Sequence, residues 1–494
     1  MNVSGCGYYD AMKIQVPFFR FDNWSWRLRS MLLGAGLVVS LVIGSAQSMA
    51  DSSRILLPDM AVIDSPSSAG DREARAGKTI YHQLRKTLPV IDDPELMLWI
   101  RALGNRIVQF VPGKHYPYYF SIINDPGINA FATEGGVVAV NAGLIMAVDS
   151  EDELAAVISH EIAHVTQHHL QRMQENSAGN GLLTGLGILA TIIAASYDPA
   201  VAQAALMSTF AFQGQQQLAY SRQMETEADR IGMRILTAAG YDPSAMASFL
   251  NKLDRFDANA DDEVTAYLRT HPLTRARISN VTDLAGKLPK PRRNQNPAFL
   301  FAREKVRALS SINLNDYAIP QIENPEVKQY ARAWSRARHL QYAEAIKLLS
   351  DAQSLQATIS RAQWLNQDRR HAETIKLLKP LLGLYSQSEP IAMLVTEAWL
   401  GVGEPQKAWE TISQVPVIGQ NSLGFYDLKA RAADAAGRRA DGYRALAEKS
   451  LRLGDKGQAK MMLQRALKLT DISEVEKSRL EYEVEQLEKA LLEE

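Results

Sequence analysis

His160-Glu161-Ile162-Ala163-His164 limits what this chain can fold into more than any other five residues. The run before it, Glu153-Leu154-Ala155-Ala156-Val157-Ile158-Ser159, consists of good helix formers without glycine or proline. Two histidines four apart on a helix stand one above the other on a single face. Both imidazoles can therefore reach one zinc ion, and Glu161, one step round, can address a water there as general base. The plainer alternative is a pair of surface histidines. A helix of this kind must pack where a further ligand meets it, so the motif asks for a built cleft.

A catalytic zinc takes a third protein ligand and keeps one position open. An extended motif would need glycine at 167 and histidine at 170, where the chain has Gln167 and Leu170. A glutamate from a second helix remains, and Met224-Glu225-Thr226-Glu227-Ala228-Asp229 supplies it. Glu225 and Asp229 share a helical face, so one can bind metal while the other hydrogen-bonds a ligand imidazole. Glu227 points elsewhere and is expected to be solvated. Of the neighbouring His168 and His169, His168 lies one turn beyond His164 and could compete as a ligand. Its other reading is a surface histidine favoured by the helix C-terminus.

Cys6 is the one cysteine in the chain, which rules out thiolate metal sites and disulfide scaffolds for the bulk of it. The formal net charge of −1 offers no bulk field for nucleic acid or anionic lipid. At 494 residues, two or three domains are expected. Trp26-Arg27-Leu28-Arg29, the apolar run Met31 to Ile43 and Ser48-Met49-Ala50 read as a signal peptide over 1–50, cleaved after Ala50. The run is shorter than the roughly 20 residues needed to span a bilayer, which argues against an uncleaved anchor. Residues 51–287 are assigned to a metalloprotease domain. Leu288 to Asn296, rich in proline and charge, opens a linker and connecting helix over 288–323.

Residues 324–494 read as helix after helix. Thr374, Ala408 and Gly442 follow short turns at intervals of 34, the tetratricopeptide period, in which small residues let paired helices approach. Ala345 and Ala459 occupy similar places out of phase. The expected fold is mainly α: an α+β protease domain with a small β-sheet, followed by an α-helical tetratricopeptide superhelix with a concave protein-binding surface. The polar stretch from about Ser473 to Glu494 reads as its closing helix.

His160 to His164, Glu225-x-x-x-Asp229, His271-Pro272 and Arg277-Ile278 together resemble the zincin family that includes HtpX and the prenyl-protein endopeptidases. Asn129-Ala130-Phe131-Ala132 and Val140-Asn141-Ala142-Gly143-Leu144 fit the same pattern. With a signal peptide before and helical repeats after, the chain resembles periplasmic metalloprotease-chaperones of Gram-negative bacteria over nearly all of its mature length. The resemblance implies His160, His164 and Glu225 as ligands of one zinc ion and Glu161 as the catalytic carboxylate. It implies Asp229 beside a ligand imidazole, and His271 and Arg277 in a site-facing motif. It also implies a periplasmic protein peripheral to the outer membrane, acting on unfolded or stalled β-barrel proteins. The repeats would contact the barrel-assembly machinery, and no nucleic-acid partner is expected.

The implied reaction is peptide hydrolysis by a zinc-activated water, with Glu161 carrying the proton to the leaving amine. His271 and Arg277 are candidate donors to the oxyanion. A different reading has His271 filling the open zinc position in a resting state, and a third makes it a loop cap. Gly135-Gly136-Val137-Val138-Ala139-Val140 reads as a strand suited to a sheet edge, where extended peptide could pair, or as an internal strand. The apolar Gly181 to Ala195 stretch reads as a hairpin or lid over the cleft touching a membrane surface, with Leu206 to Phe212 as a return arm, or as a buried helix. A rival function is a chaperone or scaffold that binds barrel precursors with little cleavage.

Overall fold

The computed structural model describes residues 69–113, 116–169, 172, 214–258, 267–268, 270–291, 297–310, 321–418 and 420–492. The signal peptide, Cys6 and the stretches Gly181 to Ala195 and Leu206 to Phe212 lie outside them.

Three strands lie at the centre of the first half: β1 (Tyr119–Ile123), β2 (Ala130–Thr133) and β3 (Val137–Asn141). Their order is β1-β3-β2, with β1 parallel and β2 antiparallel to β3. Of the two readings of Gly135 to Val140, edge strand or internal strand, the internal one holds: β3 is the middle strand. Its residues explain this. Val138 and Val140 join the main core, while Val137 and Ala139 face the opposite way into a second cluster with Ile80, Tyr81 and Leu84. A strand covered on both faces is apolar throughout, and Val-Val-Ala-Val meets that requirement.

The second cluster comes from α1 (Ala69–Thr87), and α2 (Pro94–Val108) covers the other face. Close backbone approach is built in: a Cβ on Gly77 would lie 2.0 Å from the carbonyl oxygen of Gly135, itself at φ 77°. After the short α3 (Ala142–Ala147) comes α4 (Glu151–Thr166), which carries the histidine pair. Ser150 caps it by accepting from the backbone N–H of Glu153, worth about 1 kcal/mol, and Glu151, Asp152 and Glu153 suit the positive end of the helix dipole. Buried Glu153 then accepts from Lys252 and Ser248, fixing where α4 starts.

Further helices of this half are α5 (Gly214–Ala238), α6 (Ser244–Ala258), α7 (Arg275–Lys287) and α8 (Ala298–Ser310). Beyond them the described residues form antiparallel helices, each packed on the next: α9 (Pro325–Arg338), α10 (Tyr342–Leu348), α11 (Leu355–Gln367), α12 (His371–Leu384) and α13 (Glu389–Gly401). They continue through α14 (Pro405–Ser413), α15 (Leu423–Ala435), α16 (Arg439–Arg452), α17 (Lys456–Leu467) and α18 (Glu474–Leu492). Ala345, Thr374, Ala408, Gly442 and Ala459 each take the fourth position of their helix and are buried. A Cβ on Gly442 would come within 3.3 Å of the Ala430 carbonyl oxygen on α15, so a small residue there sets how closely the helices meet. The mainly α fold expected from the sequence, with a small sheet before a helical region, is the one observed.

The helical array folds back onto the first half through the turn before α15. Arg101 donates to the Gln420 carbonyl at 2.8 Å and Arg85 to that of Asn421 at 3.1 Å. Asp92 accepts from Leu423 N at 2.6 Å and from Arg85 at 2.7 Å, and Gln420 donates to the Tyr118 carbonyl. The turn is held from behind by Glu389, which accepts from Asn421 and Ser422.

Candidate metal centre

The site lies where α4, α5 and the turn leading into α7 meet. His160 and His164 come from one face of α4, and Glu225 and Asp229 from the facing side of α5. Gly232, seven residues beyond Glu225, lets the helices touch: a Cβ there would lie 3.1 Å from the backbone N and Cα of His160. His271 arrives from the turn before α7 and is packed flat against Tyr267, with ring centroids 4.6 Å apart.

The ligand atoms converge. His160 Nε2 is 3.0 Å from His164 Nε2 and 3.3 Å from Glu225 Oε2, and His164 Nε2 is 3.3 Å from Glu225 Oε1. His271 Nδ1 stands 3.4 Å from His160 Nε2 and 3.2 Å from Glu225 Oε1. Atoms bonded at about 2.0–2.1 Å to one tetrahedral cation lie about 3.3–3.4 Å apart. The four side chains thus have the spacing of a tetrahedral metal site, with three imidazole nitrogens and one carboxylate as donors.

Asp229 Oδ1 lies 3.1 Å from His160 Nδ1, the nitrogen turned away from the cluster. Arg277 grips Asp229 through Nε at 2.8 Å and Nη2 at 2.9 Å, approaches Glu225 Oε2 at 2.8 Å through Nη1 and donates to the Pro272 carbonyl. Expected as a candidate donor to the oxyanion, Arg277 is instead buried behind the carboxylates, where its N–H groups are engaged. Glu161 is buried beside the cluster, its Oε1 3.4 Å from His271 Nε2 and without a hydrogen-bond partner.

Burial and these contacts set the charges. Burial alone would raise both Glu225 and Asp229. Instead, the imidazoles of His271, His160 and His164 hold Glu225 far below the usual carboxylate range, and His160 and Arg277 hold Asp229 below it. Burial likewise pulls His160 toward the neutral form, but hydrogen bonding to Asp229 and Glu225 prevails and lifts it to about 10. His164, where burial dominates, drops to about 3. Glu161 is raised by burial.

His168 lies outside the cluster. It is exposed, past the end of α4, with φ 51°. Glu227 is partly exposed, as expected, and is also paired: Arg172 donates to its Oε2 at 3.0 Å and His169 Nε2 lies 3.3 Å away. Sequence reading passed over His169 itself, which is buried against His164. Nothing in the helical period could have found it, because the backbone turns between the two residues.

Comparison with known proteins gives a consistent picture. Residues 94–285 match the model of peptidase family M48. The chain is 31% identical over 474 residues to the β-barrel assembly-enhancing protease of Escherichia coli, covering 92% of this chain and 96% of the relative. It is 29% identical to the protein of that name from Yersinia pestis, covering 87% and 91%. A more distant similarity, 29% over 187 residues, joins it to the mitochondrial metalloendopeptidase OMA1 of Schizosaccharomyces pombe, covering 38% of this chain and 52% of that one.

Proposed function

Because this chain belongs to the β-barrel assembly-enhancing proteases, metalloendopeptidases of peptidase family M48, we propose that it is a periplasmic zinc endopeptidase of outer-membrane protein quality control. It promotes assembly of β-barrel proteins or degrades those that stall. The observation that carries the chemistry is the convergence of His160, His164, Glu225 and His271 beside the unpartnered carboxylate oxygen of Glu161.

His160, His164 and Glu225 would hold one zinc ion, and a set of imidazoles and a carboxylate at tetrahedral spacing suits that metal. Zinc, when bound, supplies a Lewis acid that polarises the scissile carbonyl and makes water nucleophilic near neutral pH. Glu161 takes the proton of the attacking water and delivers it to the leaving amine; its raised pKa makes it a better proton carrier than an exposed glutamate. Asp229 orients His160, and Arg277 holds Asp229 and Glu225 in register.

His271 is the fourth corner. Its Nδ1 position supports the plug reading over the oxyanion-donor reading: a histidine there closes the open position in a resting state and must swing aside for substrate. The peptide then has a place to pair. Among the described residues β2 bonds only to β3, so its outer edge remains for an extended chain.

The division into a signal peptide over 1–50, a protease domain over 51–287, a connecting segment over 288–323 and tetratricopeptide repeats from 324 belongs to the same proposal. The repeats would contact the barrel-assembly machinery. The rival reading, a chaperone that does not need to cleave, is separated by Glu161→Gln. Zinc should stay bound while peptide hydrolysis falls by about 100-fold or more. A variant that is inactive yet corrects every outer-membrane defect of a deletion strain would hand the function to the scaffold reading. Absence of zinc from the wild-type protein would remove the enzymatic one.

A further inference from the structure

Each imidazole that binds a metal through one nitrogen needs a partner on the other. His160 has Asp229. His164 has a third imidazole: its Nδ1 lies 2.9 Å from Nδ1 of His169, with the rings near perpendicular at 81°. On the far side His169 Nε2 is 3.3 Å from Glu227 Oε2, to which Arg172 also donates at 3.0 Å.

Protons fit this chain of groups in one direction. His164 turns Nε2 toward His160 and Glu225, so as a neutral ligand it carries its proton on Nδ1. That N–H donates to His169 Nδ1. His169, accepting there, carries its own proton on Nε2 and donates to Glu227. The carboxylate, which only accepts, closes the series.

The backbone departs from its regular course to make the contact. On a continuing helix, residue 169 would stand about 140° round from residue 164, out of reach. Instead α4 stops at Thr166, and His168 enters the left-handed region that favours glycine, at φ 51°. The turn brings His169 back beneath His164, where it is 3% exposed.

We propose that His169 is the positioning residue for the second imidazole ligand, and that Glu227 anchors it, so that the pair fixes the tautomer and ring orientation in which His164 binds metal. The proposal rests on the zinc reading of the site and adds two residues to it. It also makes the two histidine ligands unequal. His160 is backed by a carboxylate, which strengthens a ligand imidazole; His164 is backed by a neutral ring, which does so less.

Two variants of the full mature chain separate hydrogen bonding from packing. His169→Leu keeps the bulk and removes the acceptor. His169→Asn places Oδ1 near the former Nδ1 and keeps it. Zinc affinity, measured by chelator competition, should fall by about 10- to 100-fold in His169→Leu and stay within about threefold of wild type in His169→Asn. The visible absorption bands of the cobalt-substituted protein should shift in His169→Leu and return in His169→Asn. Wild-type affinity and an unaltered cobalt spectrum in His169→Leu would overturn the proposal, leaving His169 a packing residue. If His169→Leu does not fold, a loss of affinity of 10-fold or more in His169→Asn would overturn it as well, and retained affinity would support it. Failure of the wild-type protein to bind either metal would instead strike at the zinc reading, and this proposal would fall with it.

Discussion

Arg277→Ala removes the guanidinium that faces both carboxylates of the site. Four contacts disappear: two to Asp229 at 2.8 and 2.9 Å, one to Glu225 at 2.8 Å and one to the Pro272 carbonyl at 3.0 Å. The side chain and both carboxylates are buried, and water entering the space left behind cannot supply the lost positive charge. Deleting one partner of a buried ion pair costs about 3–5 kcal/mol. At about 2–4 °C per kcal/mol for a unit the size of the family match over residues 94–285, the unfolding midpoint should fall by roughly 6–20 °C in the presence of chelator. Saturating zinc should shrink the loss, because a bound cation takes over the charge of Glu225 and leaves Asp229 alone uncompensated. Arg277→Lys should recover part of the loss, since an ammonium cannot match the forked contact. The difference should also close in acid. Asp229 and Glu225 titrate below their ordinary 3.8 and 4.5, so their stabilisation is complete above those values and is lost as pH falls through the lower folded ones. Thermal unfolding followed by circular dichroism, with chelator and with zinc, measures all of this. A chelator midpoint within about 2 °C of wild type would refute the reasoning.

His271→Ala should raise hydrolysis of an unfolded substrate several-fold if the ring plugs the site; a donor role would lower it, and a loop cap would leave it unchanged. Zinc uptake should depend on pH. His160 is held protonated up to about 10 in the metal-free site and must be neutral to bind, so below that value uptake expels a proton. Apparent affinity should then climb about tenfold per unit between roughly pH 6 and 8, and a flat profile in chelator competition would contradict the charge assignment. Gly232→Ala forces a methyl to 3.1 Å from the His160 backbone; it should destabilise by about 1–3 kcal/mol and weaken zinc binding, read by thermal unfolding and the same competition assay.

The centre was legible wherever one regular helix fixed a face. His160 and His164, and then Glu225 and Asp229, stand four apart on unbroken helices, so spacing predicts which side chains share a face, and the resemblance implied Glu225 as the carboxylate among the ligands. His169 was illegible for the opposite reason: a left-handed residue at 168 reverses a direction that the period would have set. Arg277 could be flagged by its motif, yet whether it faces substrate or backs the carboxylates depends on the packing of α7 against α5. The place of the middle strand stayed open between edge and interior because Val-Val-Ala-Val suits either until the covering layers are known. Ala345, Thr374, Ala408, Gly442 and Ala459 are buried where one helix of the array meets another, and close packing there excludes anything larger.

The turn from Gln420 to Leu423 seats the helical array on the first half. Arg85 and Arg101 reach backbone carbonyls, and Asp92 reaches a backbone N–H, so the lock reads main-chain position and tolerates many side chains. A shift by one residue would leave two buried cations facing the wrong groups. Grafting a foreign helical array onto this protease would therefore fail on length before it failed on sequence, and a chimera should carry the turn and its Glu389 brace across intact.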